Sequence, residues 1–433
     1  MQTDLDQNAA LDRSQRERAD AVLRRCVHCG FCNATCPTYA LTGNELDGPR
    51  GRIYLIKQAL ERNEATRLTQ RHLDRCLSCM ACETTCPSGV RYHDLLDIGR
   101  EFVDAHVRRP WHEALLRAVL RTVASRPRVF AVLMRLGRLM RPLLPPRLRA
   151  QVPAAAPSSS RRHRRPRSKE ARRRERVVDP GGAVTGDHVV TLAGCVQPTL
   201  SPATNIAAAR VLEHQGLALR QIRGAGCCGA LHFHFGDRRR AMDRVRRNVT
   251  ELDGALIAGA AHVLTTASGC GAFIRDYGDL LADDPRYSAA ARRVSDAHRD
   301  IAEVIDPALW RTPPGPDGDA APAAAFHCPC TLQHAQGLAT RVPQVLQAAG
   351  ITLAAVAGPA RCCGSAGAYA VLQPEMADAL GKARAQALLD TGAPRLLTAN
   401  VGCQHHLARH AGTPVQHWVE LLAERLDRTS DPH

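Results

Sequence analysis

Aromatic residues are scarce in this 433-residue chain, at 4% of the whole, so its cores must rest on Leu, Val and Ala. Long apolar runs are missing as well. Arginines interrupt every candidate between Trp111 and Pro146, which leaves nothing near the roughly eighteen apolar residues a membrane span needs. The opening MQTDLDQNAALDRSQRERAD is too polar and acidic to be expected to act as a signal peptide. A reducing cytoplasm is therefore expected, and the seventeen cysteines are not read as disulfides. No Gly-rich dinucleotide-binding fingerprint is recognised, which places any flavin elsewhere.

The length exceeds the roughly 250 to 300 residues at which a single core stops growing, so two or more domains are expected. The net charge of +16 invites a nucleic-acid reading until it is located along the chain. From Arg108 to Arg176 there are 21 basic and 3 acidic residues, a net +18, and everything else sums to −2. No aromatic or base-reading module accompanies the basic run, so no nucleic acid is expected. The remaining readings are peripheral attachment to an anionic membrane surface, on the inner face of the plasma membrane, and a solvated linker.

Cysteine is what the chain has in quantity, and it is patterned. CVHCGFCNATCP and CLSCMACETTCP both follow C-x2-C-x2-C-x3-C-P, the spacing at which a tight loop offers three thiolates to one [4Fe-4S] cubane. Zinc also takes C-x2-C pairs, but two identical four-cysteine runs closed by proline are not zinc-ribbon spacing. In two-cluster ferredoxins the fourth cysteine of each run ligates the other cluster. Here that groups Cys26, Cys29 and Cys32 with Cys86, and Cys76, Cys79 and Cys82 with Cys36. Two [4Fe-4S] clusters are expected within a small, mostly helical ferredoxin-type module over residues 1–107.

Residues 108–186 follow as a basic segment. Leu115, Leu116, Val119, Leu120 and Val123 fall at helical spacing, and a second run extends from Val129 to Met140 after a break near Pro127. The Pro-, Ser- and Arg-rich stretch 151–186 cannot bury enough apolar surface to offset chain entropy and is expected to be a disordered linker. Beyond it a repeat emerges. Cys195 is followed after 31 residues by Cys227-Cys228-Gly229 and after 41 more by Cys270; Cys330 is followed after 31 by Cys362-Cys363-Gly364 and after 39 by Cys403. Two homologous cysteine-rich domains, 187–311 and 322–433, are predicted. Apolar runs ending at cysteine, as in VVTLAGC and LLTANVGC, alternate with helical patterns such as NIAAARVLEHQG. The fold class is therefore multidomain α/β, with parallel strands and with the cysteines on loops at strand C-terminal ends. These eight cysteines are candidates for a further cluster, or for redox exchange in which Cys228 and Cys363 react.

The chain resembles the iron-sulfur subunits of bacterial glycolate oxidase, through CVHCGFCNATCPTY, ELDGPRGRIYLIKQ, CETTCPSGVRYHDLLDIGR, GCVQPTLSP, TASGCGAF, FHCPCTLQHAQ and CCGSAGAYA. The resemblance covers nearly everything outside the linker. It implies an electron-transfer subunit of glycolate dehydrogenase whose FAD-binding partner subunits oxidise glycolate to glyoxylate, with FAD on those partners only and a quinone-type acceptor beyond. More distantly, the C-terminal half looks like the cysteine-rich domains of heterodisulfide reductase and anaerobic glycerol-3-phosphate dehydrogenase subunits. That likeness keeps a thiol/disulfide oxidoreductase, or the equivalent lactate or glycerol-3-phosphate subunit, as alternatives. Many such domains end in C-x2-C, but here Phe273 and His406 stand at the final positions. His327 and His406 lie near the second cysteine set and could ligate metal, but among nineteen histidines both are read as polar or core positions.

Overall fold

The computed structural model describes residues 1–5, 8–143, 187–310, 324–358 and 361–429, so the expected linker lies outside the described residues. The first helix, Arg13–Arg25, opens on a capping box in which the Asp12 carboxylate accepts from the Gln15 amide and the Gln15 side chain accepts from the Asp12 amide. The helix Pro49–Arg62 starts on proline at its first turn and stops at Asn63 in the left-handed region, φ 51°. Its apolar stripe, Ile53, Ile56 and Leu60, is buried with Leu95, Leu96 and Phe102 of Tyr92–His106. Gly99 makes that approach possible, since a Cβ there would lie 2.7 Å from Ile56 Cγ1.

Between the two cysteine runs sits a buried ion cluster. Asp47 is 0% exposed and Arg52 1%. The Asp47 carboxylate accepts from Arg75 at 2.8 Å and faces His72 Nδ1 at 2.7 Å. Arg52 donates to the His72 carbonyl and to Thr38 Oγ1, and Thr38 in turn donates to the Asp47 carbonyl. The cluster ties the helix Pro37–Thr42, which follows Cys36, to the helix Arg67–Asp74, which precedes Cys76. Sequence spacing shows only a turn followed by a helix at ELDGPRGR, because a buried pair of opposite charges leaves no periodic trace.

The described part of the basic segment forms two helices, Trp111–Ala124 and Pro127–Met140. The break falls at Pro127, which opens the second helix. Two parallel sheets follow. β1 (His188–Leu192), β2 (Ala218–Ile222), β3 (His262–Thr265) and β4 (His298–Asp300) lie in the order β2-β1-β3-β4. β5 (Ala324–His327), β6 (Arg395–Thr398) and β7 (Val415–His417) repeat this as β5-β6-β7, and Leu353 bridges to Ala324 where the first copy has β2. The two copies share one core, in which Val189 and Leu264 are packed with Phe326, Leu397 and Trp418. In each sheet the chain switches sides between the first strand and the third element, and ligand crevices form at such a switch point.

The ferredoxin-type module leans on both copies. Arg91 meets Asp279 of the first at 3.3 Å, and Tyr369 of the second donates to the Arg75 carbonyl at 3.0 Å. His93 lies at the first of these contacts, 2.9 Å from Glu83 and 3.2 Å from Asp94. Burial opposes its protonation, but Glu83, Asp94 and Asp276 outweigh burial and raise its pKa to about 9. Asp276 is itself pushed up to about 6 by burial.

Two outcomes follow from these contacts. Removing Arg52 leaves Asp47 buried without its full complement of donors, a loss of roughly 3 to 5 kcal/mol. Arg52→Met should therefore speed amide exchange in Pro37–Thr42 and Arg67–Asp74 by about a hundredfold or more, while exchange in β1 and β3 stays unchanged. For His93 the folded pKa lies above the unfolded value, so its contribution is complete below about pH 6.5 and is lost as pH rises toward 9. Thermal melts from about pH 6 to 9.5 should show this decline, and His93→Gln should flatten it.

Candidate metal centres

Each ferredoxin-type run folds into the same loop. His28 and Gly30 in the first, and Ser78 and Met80 in the second, all have positive φ, at 57°, 85°, 51° and 59°. Gly30 adopts this without a Cβ penalty, whereas Met80 holds the same conformation against it. The turned backbone brings the His28 and Ala81 amides onto Cys26 and Cys79, and Arg50, in the helix Pro49–Arg62, supplies an amide to Cys32. Each loop then enters a single turn of helix, Phe31–Ala34 or Ala81–Thr84, that carries the third cysteine.

Two adjoining cavities result. One is lined by Cys26, Cys29, Cys32 and Cys86, the other by Cys36, Cys76 and Cys79, and Cys82 lines both. Tyr92 also faces both cavities, and its buried hydroxyl has no partner among the described residues. Burial pushes the Cys26 thiol up, Cys32 to about 11, and Cys79 and Cys82 well above the ordinary range. Sulfurs this far from water, with amide donors already in place and an unpartnered hydroxyl beside them, suit a cation-rich group that replaces the thiol protons. A [4Fe-4S] cubane fits that donor set.

The second group of sulfurs lies at the switch points of the two sheets. Cys195 follows β1 on a loop, as expected, and Cys330 opens the short helix Cys330–Gln333 that follows β5. Cys270 and Cys403 do not sit on loops: each lies in the first turn of a helix, Ser268–Arg275 or Val401–Ala411. In the first copy Cys195 and Cys228 are both hydrogen-bonded to Cys227, which holds the Cys227 sulfur well below the usual thiol range. Cys228 is instead pushed up by its bonds to Cys227 and Cys270 and by burial. In the second copy Cys363 Sγ lies 3.2 Å from Cys403 Sγ, and the Gly364 amide donates to Cys362 Sγ. Cys330, Cys362 and Cys363 all stand above the ordinary range through sulfur neighbours and burial. The raised thiols of Cys228 and Cys363 do not have the low-pKa environment a reactive cysteine uses.

Among the described residues, the two sets differ in the apolar clusters they join. Cys330 and Cys362 share an apolar cluster with Leu77, Cys79 and Tyr369, and Thr84 Oγ1 lies 2.9 Å from His334 Nδ1 beside it. The cluster around Cys228 and Cys270 includes no residue of that module.

The two histidines singled out by position differ. His406 is a core residue: its Nε2 lies 3.0 Å from the Ala377 carbonyl, and burial brings its pKa down to about 4. His327, by contrast, is grouped with Cys363 and Cys403, with one ligand atom from each lying within 4.8 Å of the others. Sequence position alone leaves His327 among the ordinary core histidines, because only the fold brings β5 and β6 side by side. Cys328, which belongs to neither repeat of the cysteine spacing, lies beside Cys330, and its thiol is pushed up to about 12, mainly by burial.

A G-x-G-x-x-G spacing does occur, at Gly224, Gly226 and Gly229, which corrects the expectation of none. It does not form a nucleotide cradle. It leads into a helix of five residues, Ala230–His234, and an added Cβ on Gly224 would lie 2.2 Å from Glu251 Cδ, so a carboxylate stands where a pyrophosphate would have to approach.

Known proteins match this architecture. The family described as 4Fe-4S dicluster domain matches residues 22–90, and the one described as cysteine-rich domain matches 189–275 and 324–408. The glycolate oxidase iron-sulfur subunit of Escherichia coli (strain K12) is 47% identical over 95% of this chain and 96% of its own length. A probable glycolate oxidase iron-sulfur subunit of Bacillus subtilis (strain 168) is 29% identical over 90% and 89% respectively. A fumarate reductase (CoM/CoB) subunit of Methanothermobacter marburgensis is 26% identical over 53% of this chain and 43% of its own. With two cavities of cysteine sulfur in front, a duplicated cysteine-rich α/β half behind, and nearly half its residues shared end to end with one such protein, the chain belongs to the family of glycolate oxidase iron-sulfur subunits.

Proposed function

We propose that this chain carries electrons within a glycolate dehydrogenase complex, between FAD-binding partner subunits that oxidise glycolate to glyoxylate and a quinone-type acceptor. The observation that carries the reading is the pair of adjoining cavities. Cys26, Cys29, Cys32 and Cys86 would hold one [4Fe-4S] cubane, and Cys36, Cys76, Cys79 and Cys82 the other. A bound cubane supplies reversible one-electron chemistry at a potential set by sulfur hydrogen bonds and solvent exposure. The chain's own part is to bury Cys26, Cys36 and Cys82, donate amides to the sulfurs and, through Cys79, bring one cavity against the second cysteine-rich copy. The close approach of Cys363 to Cys403 also suits a dithiol, which supports the thiol/disulfide alternative with Cys363 among its reactive cysteines. Relatives named lactate utilization protein A, such as that of Bacillus velezensis at 25% identity over 51% of this chain, keep lactate as an alternative substrate for the complex.

The helices Trp111–Ala124 and Pro127–Met140 support peripheral membrane attachment. No helix among the described residues is long and apolar enough to cross a membrane. Yet the second helix has no buried residue at all, and Trp111, Val132, Leu136 and Leu139 are exposed at 78%, 61%, 53% and 77%. Exposed apolar side chains interleaved with Arg128, Arg135 and Arg138, within the +18 segment, match an anionic lipid surface, where each nearby base adds about 1 kcal/mol.

Oxygen-protected protein should contain about eight irons and eight inorganic sulfides on these eight cysteines. Isolated with its partners, it should turn over glycolate with a bound flavin. Zinc in place of iron, or colourless protein, ends this reading. Deleting 155–176 should weaken sedimentation with anionic vesicles at low salt, and Leu136→Glu with Leu139→Glu should weaken it at every salt concentration; undiminished binding in both variants removes the membrane assignment.

A further inference from the structure

His327 closes β5 three residues before Cys330, is 0% exposed, and lies among sulfurs. Proximity alone would make it a metal ligand. Its other partner rules this out. Arg384, itself 2% exposed, donates its Nε proton to His327 Nδ1 at 3.0 Å, and it is fixed in place by two further bonds to the Ala357 and Gly358 carbonyls. A guanidinium has protons to give and no lone pair to offer, so Nδ1 must be the acceptor and cannot carry a proton. The ring is therefore neutral, with its single proton on Nε2. A histidine that binds metal through Nε2 has the opposite arrangement, with Nδ1–H donating to a carbonyl or carboxylate. The Nε2 proton of His327 is buried and finds no partner within the described protein.

The first copy lacks both members of this pair. Leu192 closes β1 three residues before Cys195, and Val249 stands 21 residues after Cys228, as Arg384 does after Cys363. The sequence is thus duplicated, and this feature is not. The copy that has the pair is also the one whose Cys330 and Cys362 pack against Cys79.

We propose that His327 is a positioning residue of the second cysteine-rich domain: Arg384 holds its tautomer so that Nε2–H, unpartnered within the described protein, is kept for the sulfur of an iron centre held by Cys330, Cys362, Cys363 and Cys403, to which His327 is not a ligand. The proposal rests on the electron-transfer reading above and deepens it. It makes the second set the redox-tuned partner of the neighbouring cavity, since a proton donated to sulfur favours the reduced, more negative form. The first set has Leu192 in the equivalent place.

The test uses the full chain isolated without oxygen together with its flavin subunits. Cys363→Ala with Cys403→Ala should remove iron beyond the roughly eight of the ferredoxin-type cysteines. His327→Leu, the residue of the first copy, should retain all iron but shift the reduction equilibrium of that additional centre about tenfold toward the oxidised form, about 59 mV for one electron. His327→Gln keeps an N–H donor and should recover most of the shift. Loss of the additional iron in His327→Leu would make His327 a ligand and overturn the proposal, as would an unchanged potential, or a double cysteine variant that loses no iron. The roughly eight irons of the ferredoxin-type cysteines are counted separately, so failure here leaves the electron-transfer reading standing, and their absence would end that reading on its own.

Discussion

A cysteine sulfur withdrawn from water keeps its proton unless positive charge or hydrogen-bond donors are brought to it, and both halves of this molecule are arranged around that requirement. In the ferredoxin-type module the donors are backbone amides, aimed by residues with positive φ at His28, Gly30, Ser78 and Met80. Arg52, nearly without exposure, adds a charge near Cys36 and Cys76. In the cysteine-rich half the donors are other sulfurs, the Gly364 amide and the Asn400 side chain. The folded chain alone leaves these demands only partly met, which explains the raised thiols and the unpartnered hydroxyl of Tyr92.

Asp47 joins the two cysteine runs mechanically. A single buried carboxylate gathers His72, Arg75 and, more loosely, Arg52, so the chain leaving Cys36 and the chain approaching Cys76 are held to one point. An ion cluster is a weak source of net stability but a strong constraint on geometry, because any displacement strands a charge away from water. Two cavities that must share Cys82 along a common wall need such a constraint.

Duplication supplied two equivalent sulfur sets, and packing made them unequal. Tyr369 and Met376 of the second copy bury Leu77 and Cys79 of the ferredoxin-type module, whereas the first copy meets that module through charged contacts such as Arg91 with Asp279. The apolar contact lies at the sulfurs of Cys79, Cys330 and Cys362. A shared core through Val189, Leu264, Phe326 and Leu397 packs the two copies together, while their sheets differ, the second having only the Leu353 bridge where the first has β2.

Much of this was legible in the amino-acid order. Local chemistry has local signatures: the C-x2-C-x2-C-x3-C-P runs, the doubled cysteine spacing, the break at Pro127 and the strand-then-helix alternation all depend on residues near one another in the chain. The spacing of the cysteines thus determined the kind of chemistry and the two-part plan. It could not determine which sulfur set meets the ferredoxin-type module, that Asp47 and Arg52 are partners in the interior, or that His327 faces Cys363 and Cys403 while His406 turns to a carbonyl. Those depend on contacts between segments tens to hundreds of residues apart, and on which nitrogen of a ring holds its proton. Both are decided only when the chain closes on itself and water is expelled.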